Sequence, residues 1–274
     1  MTDKPVVLLT GASRGLGLAI LKLLLSGSSN PSASFPASRV VTISRTLSEE
    51  LRSVQSKHSS DLICVRGDVT STSINADAVS KAISTFGKLD SIILNAGVVS
   101  TERIATLDPK DFAEMLNINT VSLITTLSAA LPELRKSKIA TAVFVSSGAA
   151  TGNIAGWAGY NSSKAAMNAI CRTLANEEEG IATFAVRPGV VDTDMQTLLR
   201  SRGKEAMKES EIERFMTMHK EGKLLKAEQP GFTIAALATK GSRQTPKGKD
   251  GKGLGAQGAF VTWNEDILEG FKIE

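Results

Sequence analysis

Cysteine is scarce in this chain. Only Cys64 and Cys171 occur, each inside an apolar segment, which is too few for a disulfide framework. Both are read as small core residues in a reducing, cytoplasmic setting. Histidine is equally rare. His58 and His219 lack the spacing of metal ligands, so no metal is expected. No apolar run reaches the roughly 18 residues of a membrane-spanning helix, and the Val6-Val7-Leu8-Leu9 run is too short for a signal-peptide core. No membrane partner is therefore expected. No internal repeat is visible, which argues against solenoids and propellers. No aromatic residue stands between Phe232 and Phe260, so the Lys240, Arg243, Lys247, Lys249, Lys252 cluster has nothing to stack on bases. The stretch 242–257 is read as a solvated basic loop, and nucleic acid is not an expected partner.

What is present points to one large α/β domain over 1–274. The 274 residues are 42% hydrophobic and 22% charged, an ordinary globular balance. Short runs that are apolar on both faces predict strands at 6–10, 39–44, 62–65, 91–95, 142–146, 182–187 and 259–262. Helical patterns lie between them, over 16–25, 76–86 and 160–178, and from Asp108-Pro109 toward Leu131, where Pro132 is expected to bend or end the helix. The alternation predicts right-handed crossovers and a doubly wound parallel sheet. The segments 27–38 and 242–257 read as loops. The Met-bearing, charged stretch 195–226 reads as a helical lid, with Met195, Leu198, Met207, Phe215 and Met218 as its apolar wall.

Gly11-Ala12-Ser13-Arg14-Gly15-Leu16-Gly17 follows the first strand and opens a helix. Glycines there allow a tight turn and close backbone approach to a pyrophosphate, while the helix N-terminus offers free N–H groups. The second strand ends in Ser44-Arg45-Thr46, with no acid before Glu49 to accept from a ribose hydroxyl. Arg45 and Arg14 are placed instead to pair with a 2′-phosphate, which favours NADP(H).

Tyr160 is the only tyrosine, four residues before Lys164 in a helical pattern. The two share a helix face. A nearby ammonium favours the phenolate, and the pair can protonate an alkoxide forming from a carbonyl. Ser146-Ser147 ends one strand and can hold the substrate oxygen, Asn95-Ala96-Gly97 ends another, and Pro188-Gly189-Val190-Val191-Asp192-Thr193 follows a third. Trp157 reads equally as pocket wall or as core.

Together these motifs, from about Lys4 to Thr262, resemble the short-chain dehydrogenase/reductase family. The resemblance implies a Rossmann-type fold and a cofactor cradle of Gly11, Ser13, Arg14, Gly15, Leu16 and Gly17. It adds Arg45, Asp68, Val69, Asn95, Ala96 and Gly97 on the adenosine side, and Pro188, Gly189, Val191 and Thr193 on the nicotinamide side. The implied catalytic set is Asn119, Ser147, Tyr160 and Lys164, with Tyr160 and Lys164 also among the cofactor contacts and Lys164 on the nicotinamide ribose. Stretches such as Leu131-Pro132-Glu133-Leu134 and the Gln257–Asn264 ending are similar to the fungal benzil reductase and sepiapterin-reductase-like branch. The implied activity is NADPH-dependent reduction of a ketone or diketone by a homodimer or homotetramer. Two rivals are carried beside it: an NADP(H) sensor without turnover, against which the intact Ser147–Tyr160–Lys164 set speaks, and an NAD-dependent alcohol dehydrogenase, against which Arg45 speaks.

Overall fold

The computed structural model describes residues 4–273; Met1–Asp3 and Glu274, which the single-domain reading includes, lie outside them. Seven parallel strands form one sheet in the order β3-β2-β1-β4-β5-β6-β7. They are β1 (Val6–Thr10), β2 (Arg39–Ser44), β3 (Leu62–Arg66), β4 (Ser91–Leu94), β5 (Thr141–Val145), β6 (Ala182–Arg187) and β7 (Ala259–Thr262). Helices cover both faces: α1 (Gly15–Ser26), α2 (Glu49–Lys57), α3 (Thr72–Phe86), α4 (Pro109–Leu116), α5 (Ser122–Leu134), α6 (Ala158–Glu177), α7 (Asp194–Arg202), α8 (Glu209–Lys220), α9 (Glu228–Lys240) and the short α10 (Leu254–Gln257).

Strand alternation divides the core in two. Val7, Leu9, Val143 and Phe184 pack toward α1 and α9, whereas Leu8, Ile92, Phe144 and Ala185 pack toward α3, α5 and α6. Apolar residues on both faces of each strand are what a sheet covered on both sides requires. The winding direction reverses between β1 and β4, and ligands of open α/β sheets bind at the carboxyl ends flanking such a point. Here those ends carry Gly11 and Asn95. The Asn95 side chain donates to the Thr10 and Gly11 carbonyls, both at 3.0 Å, and stitches the two strand ends together.

Several sequence expectations need correction. Pro132 does not end its helix. α5 continues through it to Leu134, because the proline falls in the last turn, where little helix remains to be disrupted. α4 and α5 are joined by a π turn, Asn117–Val121, so helical structure is continuous from Pro109 to Leu134. By length and composition alone that helix could cross a membrane, although no such stretch was expected. It lies instead against the sheet, with Leu123, Leu127, Ala130 and Leu134 in the core.

Segment 27–38 is more than a solvated loop. Ser28 and Phe35 bridge antiparallel, and the Phe35 ring meets Phe232 edge-on at 5.1 Å. In the basic loop the lysines Lys247, Lys249 and Lys252 are exposed as expected, but Arg243 turns inward. One of its nitrogens donates to the carbonyls of Ala175, Glu178 and Ile181 at 2.9–3.0 Å, closing the C-terminal end of α6. A cation there also suits the helix dipole.

Candidate active site

Every residue that the sequence assigns to the cofactor lines one cavity of about 1130 Å³ at the carboxyl ends of the strands. Its floor is the β1–α1 turn. Gly11 takes φ 75°, open to glycine, and a Cβ there would lie 2.9 Å from Ala96 Cα. At Gly17 a Cβ would sit 2.0 Å from the Gly11 carbonyl oxygen and 2.6 Å from Asn95 Nδ2. The loop is therefore closed on itself in a form that excludes side chains. β2 holds it from the far side, with Gly11 N–H donating to the Ile43 carbonyl and Ala12 N–H to Ser44 Oγ. Ser48 caps α2 and its hydroxyl donates to the Ser13 carbonyl at 2.6 Å. Ser44 and Ser48 were not singled out from sequence, though Ser48 ahead of Glu49-Glu50 carries an N-cap signal.

The N-terminus of α1 has no side-chain cap and no acid in its first turn. Its orphan N–H groups and positive dipole end face the cavity without an internal anion, which fits a pyrophosphate. The two arginines differ from each other. Arg45 lines the cavity beside Asp68, whose carboxyl is held below its usual range mainly by the Thr70 backbone N–H, with a smaller contribution from Arg45. Arg14 is already paired, its guanidinium 2.9 Å from Asp194 at the start of α7. Both partners are more than two-thirds exposed (74% and 70%), so the pair is weak and exchangeable.

Tyr160, Ser147 and Lys164 come together in the wall opposite. Tyr160 and Lys164 are one helical turn apart on α6, and Ser147 follows β5. Burial pushes the Tyr160 phenol above its ordinary value, outweighing the lowering influence of the neighbouring Ser147 side chain. Lys164 was expected to depress that phenol. Its ammonium instead lies 5.8 Å from the ring centroid and donates to the Val145 carbonyl at 2.7 Å. Burial pushes Lys164 down to about 8. Tyr160 is thus held protonated, the form a proton donor needs.

Asn119 does not reach the cavity. Fully buried in the π turn, its side chain accepts from Val98 N–H and donates to the Val98 carbonyl, both at 2.8 Å, and donates to Ser163 Oγ at 3.1 Å. It pins the segment after β4 against α6. A side chain at Gly97 would press on Asn119 Oδ1 at 3.3 Å and approach Lys164 Nζ at 3.9 Å, which accounts for the glycine.

Trp157 is both core and wall. It meets Tyr160 edge-on at 5.5 Å and stacks on Phe215 of α8 at 5.9 Å. Of the lid residues, Met195, Leu198 and Phe215 line the cavity, whereas Met207 packs behind it with Ile212. Glu211 holds α8 in place. Its carboxylate accepts from Lys208 N–H at 3.0 Å and from Ala155 N–H at 3.2 Å, tying the helix start to the loop before α6. Among the described residues no group of three or more His, Cys, Asp or Glu side chains is arranged to hold a metal.

The short chain dehydrogenase family model matches residues 5–204. An uncharacterized oxidoreductase of Schizosaccharomyces pombe is 37% identical over 97% of this chain and 99% of its own length. A benzil reductase ((S)-benzoin forming) of Saccharomyces cerevisiae is 32% identical over 86% of this chain and 90% of its own. The crystal structure of a short chain dehydrogenase/reductase from Saccharomyces cerevisiae superposes with a TM-score of 0.86 at 32% identity, covering 98% of this chain and all of that one.

Proposed function

This chain belongs to the short chain dehydrogenase family of oxidoreductases, and from that premise we propose that it is an NADPH-dependent carbonyl reductase acting on ketones or diketones. The observation that carries the reading is the meeting of Tyr160, Ser147 and Lys164 in the wall of the cavity onto which the uncapped α1 N-terminus opens. NADPH, when bound, supplies the hydride. The loop Gly11–Gly17 and the α1 N–H groups would hold its pyrophosphate, and Arg45 and Arg14 would meet the 2′-phosphate. Lys164 holds the nicotinamide ribose, and Val191 and Thr193 the carboxamide side.

Ser147 and Tyr160 donate hydrogen bonds to the substrate carbonyl oxygen, and Tyr160 gives up its proton as negative charge develops there. Trp157, Phe215 and Leu198 supply an apolar surface for the body of the substrate. Helices α7 and α8 act as the lid, latched by Glu211. The likeness to a benzil reductase adds support for a diketone of that kind. The working form is a dimer or tetramer of this chain. The large apolar residues Val121 (52%) and Ile124 (49%), exposed on the long helix, form the face that a second copy covers.

Two expected results follow. Benzil-dependent oxidation of NADPH should exceed that of NADH by at least about tenfold, and Arg45→Asp should abolish or invert the preference by removing a charge-assisted bond and repelling the phosphate. An NADH preference in the unmodified protein would rule out the cofactor assignment. Lys164 is a base whose pKa is lowered, so it loses its charge as pH rises through about 8. Because kcat/KM reports free-enzyme ionisations, kcat/KM for NADPH should fall along an alkaline limb near that value. A profile flat to pH ~10 would show that the ammonium is not used.

A further inference from the structure

The charges around the cavity are unbalanced. Five cationic side chains line it, Arg14, Arg45, Lys164, Arg187 and Arg214, against the carboxylates of Asp68 and Asp194. Both acids are engaged toward the nucleotide end, Asp194 with Arg14 and Asp68 with Thr70 and Arg45. Arg187 and Arg214 stand apart from them. Among the described residues, neither has an ion pair or a side-chain hydrogen bond, and both are exposed.

Their positions give this imbalance a meaning. Arg187 ends β6, immediately before the Pro188-Gly189 turn. Its guanidinium lies against Gly148, the residue directly after Ser147. A Cβ at Gly148 would be 3.0 Å from Nε and 3.1 Å from Cζ and Nη2 of Arg187. The guanidinium therefore occupies the place a side chain would take beside the serine that holds the substrate oxygen. Arg214 enters from the lid, next to Phe215 and its stack on Trp157. One cation thus lies against Gly148, the residue that follows the serine binding the carbonyl, and a second stands at the edge of the aromatic wall.

Resting on the carbonyl-reductase reading above, we infer that the preferred substrate is an anionic carbonyl compound of the 2-oxo carboxylate class, received by Arg187 beside Ser147 and by Arg214 on the lid. A guanidinium against the turn that carries this serine, in the same cavity, suits a carboxylate bonded to the carbonyl carbon. The planar fork of Arg matches two carboxylate oxygens. Without such cations, a substrate anion would be repelled by the phosphates of a bound NADPH. With them, the anion is drawn into the cleft, most strongly at low salt. The apolar surface of Trp157 and Phe215 then takes the rest of the molecule.

The test compares two probes of one skeleton, phenylglyoxylate and its neutral methyl ester, each at saturating NADPH. The readout is the ratio of their kcat/KM values. In the unmodified protein the ratio should favour the carboxylate and shrink as salt rises from ~50 mM to ~500 mM. It should fall at least about tenfold in Arg187→Gln and severalfold in Arg214→Gln. Arg214 lies on an exposed helix face, so its variant keeps the test open if Arg187→Gln fails to fold. Turnover of the ester with a ratio that favours it, or that neither substitution moves, overturns the inference while leaving the reductase reading intact. NADPH consumption with neither probe nor with benzil overturns the reading itself, and the inference with it.

Discussion

Tyr160→Phe should reduce kcat for benzil reduction by at least about 100-fold while leaving NADPH affinity within about threefold, the loss expected when a general acid is removed. The substitution takes away one oxygen and keeps the ring. That ring is buried against Trp157 at 5.5 Å and carries the packing of the wall, so the cavity should persist. Phenylalanine removes the phenol oxygen beside Ser147, which still accepts from Ala149 N–H at 3.1 Å, so stability should change by no more than about 1 kcal/mol. Thermal unfolding, NADPH titration and turnover on the same preparation separate the effects. Full turnover in the variant would remove Tyr160 from the chemistry. Lost cofactor binding would make it a packing residue.

The second large effect is at Gly17→Ala. In an isolated helix this change would stabilise by roughly 1 kcal/mol, since alanine is the better helix former. Here the added methyl would fall 2.0 Å from the Gly11 carbonyl oxygen and 2.6 Å from Asn95 Nδ2. Either the β1–α1 turn opens or Asn95 releases the ends of β1 and β4. Both outcomes disturb the surface proposed for the pyrophosphate, so NADPH affinity should fall by at least about 100-fold, equivalent to about 2.7 kcal/mol. Overpacking should also cost stability, on the order of 1–3 kcal/mol. A variant that unfolds at or above the unmodified temperature and binds NADPH normally would contradict the proposed role of this turn.

What the sequence revealed followed from burial. β1, β2, β6 and β7 could be bounded to the residue because each is a short apolar run between polar turns, and a sheet covered on both faces needs such runs. The candidate site was legible for a related reason. Close backbone approach needs glycine, and a paired phenol and ammonium need one helix face, so Gly11, Gly17, Tyr160 and Lys164 announce themselves by type and spacing. The missing parts depend on distant partners. α2 buries only Leu51 and Val54, too little for a clear stripe. The π turn at Asn117–Val121 leaves no mark on periodicity. Arg14 met Asp194 and Arg243 met the end of α6 because folding brought together residues far apart in the chain. Lys164 was placed correctly on the helix, yet burial, which is not visible locally, sets its pKa, and the Val145 carbonyl holds its ammonium. Arg187 and Arg214 have no motif at all. Only the surface of a folded cavity shows that, among the described residues, neither has a side-chain partner.

Hydride transfer to a carbonyl in this cavity can be followed directly by an isotope label. NADPH carrying deuterium at the reactive face of C4 is incubated with benzil and the protein, and the benzoin formed is examined by mass spectrometry and NMR. The benzoin should carry one deuterium on its carbinol carbon and form at a rate that Tyr160→Phe lowers at least about 100-fold. Tight NADPH binding with no labelled alcohol from benzil or from phenylglyoxylate would contradict hydride transfer, and would leave a protein that binds the cofactor without turning it over.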